Sequence, residues 1–116
     1  MVIPKVMSQK KKKIREDFRN ACFKRDNFKC VMCGYKELKK EKPLEDVYDA
    51  HHITNRDLMP NGGYVKENGI TLCPICHERA EVFHSTGDSF PGYSPADLYK
   101  KINSSYERAF AASKKL

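Results

Sequence analysis

Near the start of the chain apolar residues recur every four positions, as Ile14, Phe18 and Cys22, with charged residues between them. That period predicts a helix over residues 14–24, buried along one stripe. Arg25, Asp26 and Asn27 interrupt it, and residues 28–35 read as a short hairpin closed by Gly34. A charged loop over 36–42 leads to an extended segment over 47–53. Pro60 and the Gly62-Gly63 pair make residues 55–63 a loop. Gly69, Ile70, Thr71 and Leu72 form a second extended piece, which delivers Cys73 to a helix predicted over 74–83. Pro74 suits the first turn of that helix, and Gly87 lies beyond its end.

The last quarter carries its own start signal. Ser94 can cap, Pro95 suits the first turn, and Asp97 can close a capping box. Leu98, Ile102, Tyr106 and Phe110 follow at spacing four, which predicts one helix packed on the rest of the chain. The expected organisation is a basic arm over 1–13, a central domain over 14–93 and a C-terminal helix over 94–116.

A chain of 116 residues has room for one small domain with a thin core. Its four cysteines in two CxxC pairs, Cys30 with Cys33 and Cys73 with Cys76, offer a staple for that core. Each pair supplies two thiolates from one tight turn, and two turns complete a tetrahedral zinc site with no open position. Such a site contributes to folding and not to catalysis. Two disulfides are the alternative, disfavoured by the odd cysteine count and by the absence of a secretory segment. Cys22 reads as a small core residue.

The formal net charge of +7 directs attention to an anionic partner. Lys10, Lys11, Lys12 and Lys13, then Arg15 and Arg19, concentrate the charge near the start, where it serves either phosphate contact or solubility. No segment has the length of a signal or membrane-spanning stretch, so a soluble, cytoplasmic protein is expected.

Between the CxxC pairs stand His51 and His52, and His77 follows Cys76 directly. The Asp49-Ala50-His51-His52-Ile53 segment, Asn68 ahead of Gly69-Ile70-Thr71-Leu72-Cys73, and the Cys76-His77 pair together resemble the HNH endonucleases over residues 18–84. The resemblance implies an α+β fold, a small ββα-metal domain stapled by a four-cysteine zinc knuckle with flanking N- and C-terminal helices. It places His52 as general base, His51 and His77 as ligands of a catalytic divalent ion, and Asn68 as the residue that locks the loop. It further implies cleavage of DNA, double-stranded by expectation, leaving 5′-phosphate and 3′-hydroxyl ends.

The chemistry suits these residue types. A phosphodiester repels nucleophiles, so hydrolysis needs an activated water and positive charge at the phosphate and the departing oxygen. A neutral imidazole with the ordinary pKa of about 6.5 can accept the proton. Mg²⁺ or Mn²⁺ is the expected ion, and imidazole ligands also admit Ni²⁺, Co²⁺ or Zn²⁺. Adjacent strand residues point to opposite faces, so His51 and His52 can share one site only if the strand twists or ends there.

His84, seven residues beyond His77, is either an auxiliary metal or phosphate contact or a surface residue. Asp49 can orient an imidazole, and Arg56, Lys66 and Arg79 can hold a nucleic-acid backbone; each is equally an ordinary surface charge. Taken alone, His77 could also replace a cysteine on the zinc. A non-catalytic zinc module that binds nucleic acid is the chief alternative to an enzyme, and an inactive HNH scaffold is the third reading. The His51-His52 pair and Asn68, which a binding ribbon would not need, favour the enzyme.

Overall fold

Two four-residue strands lie at the centre, covered on one face by the first helix and on the other by the helix that begins at Pro74. The computed structural model describes residues 5–38 and 41–116. In chain order the elements are α1 (Lys5–Arg25), a single turn α2 (Leu44–Val47), β1 (Asp49–His52), β2 (Gly69–Leu72), α3 (Pro74–Thr86), α4 (Pro95–Lys101) and α5 (Tyr106–Lys114). Helix and a two-stranded sheet combine as the expected α+β class, and the arrangement fits a ββα-metal fold. Among the described residues no helix is long and apolar enough to cross a membrane.

β1 and β2 pair antiparallel, with Asp49 opposite Leu72, Ala50 opposite Thr71, His51 opposite Ile70 and His52 opposite Gly69. Side chains alternate between the faces of so short a ladder. Ile70 and Leu72 therefore join Cys76, Ala80 and Leu98 in the main core. Gly69 faces α1. A Cβ there would stand 2.6 Å from the Phe18 ring and closer still to the Cys22 sulfur, so glycine is what lets α1 approach. Cys22 is fully buried at that contact, as a core residue.

α1 begins at Lys5, nine residues before the predicted start, so Lys10 to Lys13 stand on a helix where an arm was expected. Lysine and arginine are good helix formers, and a helix already anchored by Phe18, Cys22 and Phe23 can extend through them. Ile14 is exposed, outside the buried stripe. The helix is fastened at its other end by charge. The Arg25 guanidinium donates to the Asp26 carboxylate at 2.7 Å and to the Gly69 carbonyl at 2.7 Å, and it also donates to the Lys66 carbonyl; Asp26 in turn accepts from the Thr71 backbone N–H at 3.0 Å. Residues read as a simple break in the helical pattern thus join α1 to β2. The first four residues of the expected arm, and residues 39 and 40 of the charged loop, lie outside the described residues.

α3 runs three residues past its predicted end and stops where Gly87 adopts φ 81°, the left-handed conformation glycine allows. The expected single C-terminal helix is two. The Ser94–Asp97 capping box starts α4 as predicted, but Asn103 at φ 54° turns the chain, and Ser105 accepts from the Arg108 N–H to open α5. The spacing-four stripe hid this break because Ile102 and Phe110 still pack on the core from separate segments, whereas Tyr106 is exposed. Both helices lie on the loop between the strands. Ser104 donates to the Glu67 carbonyl at 2.8 Å, and Asn61 donates to the Ser113 carbonyl at 3.0 Å.

Gly69→Ala should lower the unfolding free energy in urea by about 1–3 kcal/mol, the usual cost of a methyl group forced into a packed contact. A loss below the error of the measurement would show that α1 does not rest on β2 this closely.

Candidate functional site

The zinc-type cluster is built from two turns on one side of the sheet. Residues 30–35 form a knuckle in which Gly34 donates to the Cys30 carbonyl at 2.9 Å and Cys30 to the Tyr35 carbonyl at 2.8 Å. The Val31 N–H, bonded to the Thr71 carbonyl at 3.0 Å, ties the knuckle to β2. Cys73 caps α3 and Cys76 lies in its first turn. The sulfurs of Cys30, Cys33, Cys73 and Cys76 all lie within 4.8 Å of one another, and all five cysteines of the chain are free thiols. The pairing into disulfides is thus not adopted.

The protonation of these thiols suits a cation. Burial pushes Cys76 up to about 12, only partly offset by the Tyr93 hydroxyl that donates to its sulfur at 3.2 Å. Burial also acts against the Cys30 thiolate, yet backbone N–H groups of Cys33, Cys73 and Met32 bring its pKa below the ordinary thiol value. Four convergent sulfurs suit a soft divalent ion, which displaces thiol protons as it binds.

The imidazoles divide between the two faces of β1. His51, only 2% exposed, turns toward α3, where its ring stacks on His84 at 5.0 Å between centroids and meets His77 edge-on at 5.3 Å. His52 turns toward α1 and packs between Phe18 at 4.6 Å and Tyr64 at 4.8 Å. The strand does end at His52, but the alternation of the pleat persists through it, so the two rings leave β1 on opposite faces.

On the α3 side the centre of the cluster is Glu81, which no sequence motif singled out. Its Oε1 lies 3.2 Å from His51 Nδ1 and 3.1 Å from His77 Nε2. The second nitrogen of His77 meets Asp49 at 3.1 Å. One ligand atom each from His51, Glu81 and His84 lies within 4.8 Å of the others, and His84 Nε2 also bonds the His52 carbonyl at 2.8 Å. Glu81 was nevertheless legible by spacing: it follows His77 by four residues, and so shares its helical face.

Burial, reinforced by the neighbouring His77 and His84, pushes His51 down to about 3, so its imidazole is neutral. Its Nδ1 is buried and lacks a hydrogen bond, despite the nearby Glu81 oxygen. A neutral, partnerless imidazole nitrogen facing a carboxylate fits a divalent cation. His77 is opposite in sign, raised by its bond to Asp49 against the effect of burial. Burial and the positive charge of Arg56 push His52 down to about 4, and its Nε2 is buried without a partner.

Asn68 is fully buried behind the strand end. Its side-chain oxygen accepts from the Thr54 N–H at 3.0 Å and the Tyr99 hydroxyl at 2.7 Å, and its amide donates to the Thr54 and Gly63 carbonyls at 3.0 and 3.2 Å. Tyr99, from α4, also meets the Thr54 hydroxyl at 2.6 Å, a link no local pattern signals. Of the surface cations, Arg56 borders His52 and bonds the Tyr64 hydroxyl at 3.3 Å. Lys66 offers its carbonyl to Arg25, and Arg79 stacks over Phe90 at 5.0 Å on the cysteine side, apart from the imidazoles.

The two clusters separate in their response to substitution. Cys73→Ser should lower the melting temperature by 10 °C or more on the order of a structural-zinc loss, while Glu81→Gln should melt within a few degrees of wild type. Thermal melts of zinc-loaded protein, with metal content by elemental analysis, check both. Equal losses would join the histidine cluster to the structural site. Asn68→Ala should cost about 2–4 kcal/mol in urea unfolding, because it leaves the Thr54 and Tyr99 groups unpaired.

The family model described as HNH endonuclease matches residues 30–82, which hold both CxxC pairs, His51, His52, Asn68, His77 and Glu81. No curated protein and no solved structure matches the chain. The match ends before His84 and leaves out α1, α4 and α5. Residues 30–82 thus match the HNH endonuclease family model, and the helices on either side lie outside the match.

Proposed function

We propose that this chain is a metal-dependent DNA endonuclease of the HNH type that hydrolyses phosphodiester bonds, with His52 as general base and a divalent ion held around Glu81. The observation that carries the reading is the pair of neutral imidazoles on β1, one facing a carboxylate-histidine cluster and the other facing a cationic surface. His51 and Glu81, with His77 and His84 beside them, would hold Mg²⁺ or Mn²⁺. Bound there, such an ion would supply positive charge that offsets the charge on the phosphodiester as it is attacked.

The chain's own residues supply the rest. His52 is neutral across the physiological range and can take a proton from water as it attacks phosphorus. Tyr64 and Phe18 pack against its ring, and the buried Nε2 meets water only when the groups around it move. Asn68 and Tyr99 hold the chain just after His52, so the imidazole cannot drift as charge develops. His77, drawn toward its charged form by Asp49, must lose a proton before it can ligate. The four thiols fasten the knuckle and α3 to the sheet, and so keep His77, Glu81 and His84 opposite His51.

Structural zinc at the cysteines, a divalent ion at the histidines and DNA as substrate complete the proposal. A non-catalytic nucleic-acid-binding module remains the competing reading, with the four cysteines and the positive charge in its favour.

Plasmid nicking in Mg²⁺ or Mn²⁺ separates the two. Glutamine fills most of the space between Phe18 and Tyr64 but is no base, so His52→Gln should reduce nicking by a hundredfold or more on the scale of general-base loss, with melting temperature and zinc content kept. Wild-type activity in that variant, or no nicking by wild type in any divalent metal, removes the mechanism.

The pH profile is a second test. A base at the ordinary imidazole value would retain only about a tenth of its neutral form at about pH 5.5. His52, pushed down to about 4, stays neutral there, so nicking at saturating Mn²⁺ should persist. At limiting Mn²⁺ the rate should fall earlier, as protons compete for His77, whose pKa is raised. An acid limb near the ordinary value at all metal concentrations would contradict the assignment of His52.

A further inference from the structure

α1 lies outside the family match, yet it borders His52. Phe18, which supports the imidazole at 4.6 Å, is flanked on the helix by Arg15 and Arg19, and both arginines line an open hollow of about 680 Å³ together with His52, Arg56 and Tyr64. A second hollow of about 720 Å³ continues from it, sharing Arg15, Arg56 and Tyr64 and reaching Lys11. The two form one groove along the helix.

Its cations gather along α1 and at Arg56, while its carboxylates lie on the opposite wall or beside Arg56. Lys11, Arg15 and Arg19 recur at spacing four and so project from one face of α1. Neither Arg15 nor Arg19 forms a hydrogen bond or ion pair among the described residues. Glu45 and Asp49 border the first hollow and Asp57 the second; Asp49 is engaged with His77, and Asp57 lies beside Arg56. Asp17 pairs with Lys13, which does not line the groove. From Lys11 to Arg19 the helix rises about 12 Å, which matches roughly three to four phosphates along one strand.

We propose that α1 and Arg56 form a phosphate track for duplex DNA, in which Arg15, Arg19 and Lys11 hold the backbone that leads to His52. The track rests on the nuclease reading only in making that strand the one cut. Backbone contact of this kind carries affinity and register without sequence preference. It assigns Lys11, Arg15 and Arg19 to one face of a helix and not to a free arm. It also separates the cations into those that face substrate and those, such as Arg79 beside the cysteines, that do not.

The test reads binding without cleavage. A short fluorescein-labelled duplex, with no added divalent metal, is titrated by fluorescence anisotropy at several salt concentrations for zinc-loaded wild type, Arg15→Gln/Arg19→Gln, each single variant, and Lys100→Gln/Lys101→Gln on α4. Glutamine keeps helix propensity near that of arginine, and melting checks the fold. Each single α1 variant should reduce the slope of log affinity against log salt by about 0.9, and the pair by about twice that, with affinity at low salt down tenfold or more. The α4 pair should leave the slope unchanged.

An unchanged slope in the α1 variants overturns the track, as does an equal loss in the α4 pair. Arginine-dependent binding to phosphatidylserine vesicles without binding to the duplex overturns it also. Plasmid nicking by wild type is measured alongside. Nicking with an unchanged α1 slope removes the track and leaves the nuclease; a lowered slope with no nicking in any metal does the reverse.

Discussion

The alternation of side chains along β1 is the constraint on which the site depends. Four residues pair with β2, and the register sends Asp49 and His51 toward α3 while Ala50 and His52 face α1. Adjacent imidazoles thereby enter different environments. One is surrounded by histidines and a carboxylate and is suited to a cation. The other is boxed by two aromatic rings beside a row of arginines and is suited to a proton and a phosphate. Burial keeps both neutral, and that shared cause serves two different purposes.

So short a ladder cannot hold its own register, since an isolated two-stranded sheet is marginal in water. Three sets of long-range links compensate. The cysteine cluster joins the knuckle to α3, the Arg25–Asp26 pair fastens α1 to β2, and Asn68 with Tyr99 closes the loop after β1. Gly69 admits α1 to the sheet, and the same close approach brings Phe18 under His52. Stability and site geometry are here the same set of contacts. A change in any of the three should be felt at the imidazoles.

What the sequence disclosed is what local chemistry controls. Pro74 and Gly87 bounded α3, Ser94 and Asp97 started α4, and two CxxC turns announced one four-sulfur cluster. Period-two alternation set His51 and His52 on opposite faces, and the expectation that a twist or strand end would bring them to one face did not follow from it. What stayed hidden depends on partners distant in the chain. Arg25 and Asp26 looked like a break because their acceptors and donors lie on residues 66–71. Tyr99 looked like part of an apolar stripe, although its hydroxyl completes the Asn68 network. Glu81 belongs to no histidine or cysteine motif, and only its spacing of four from His77 marks it. The extension of α1 to Lys5 had no local signal beyond the helix propensity of its lysines.

The central claim is that the two imidazoles have separate tasks, metal on the α3 face and proton transfer on the α1 face. Mn²⁺ binding to zinc-loaded protein, followed by electron paramagnetic resonance, tests it without reference to cleavage. Wild type should bind one Mn²⁺ beyond its zinc, His51→Ala and Glu81→Ala should weaken that binding by tenfold or more on the scale of a lost ligand, and His52→Gln should leave it unchanged. Loss of Mn²⁺ binding in His52→Gln equal to that in His51→Ala, or no Mn²⁺ bound by wild type, would contradict the division.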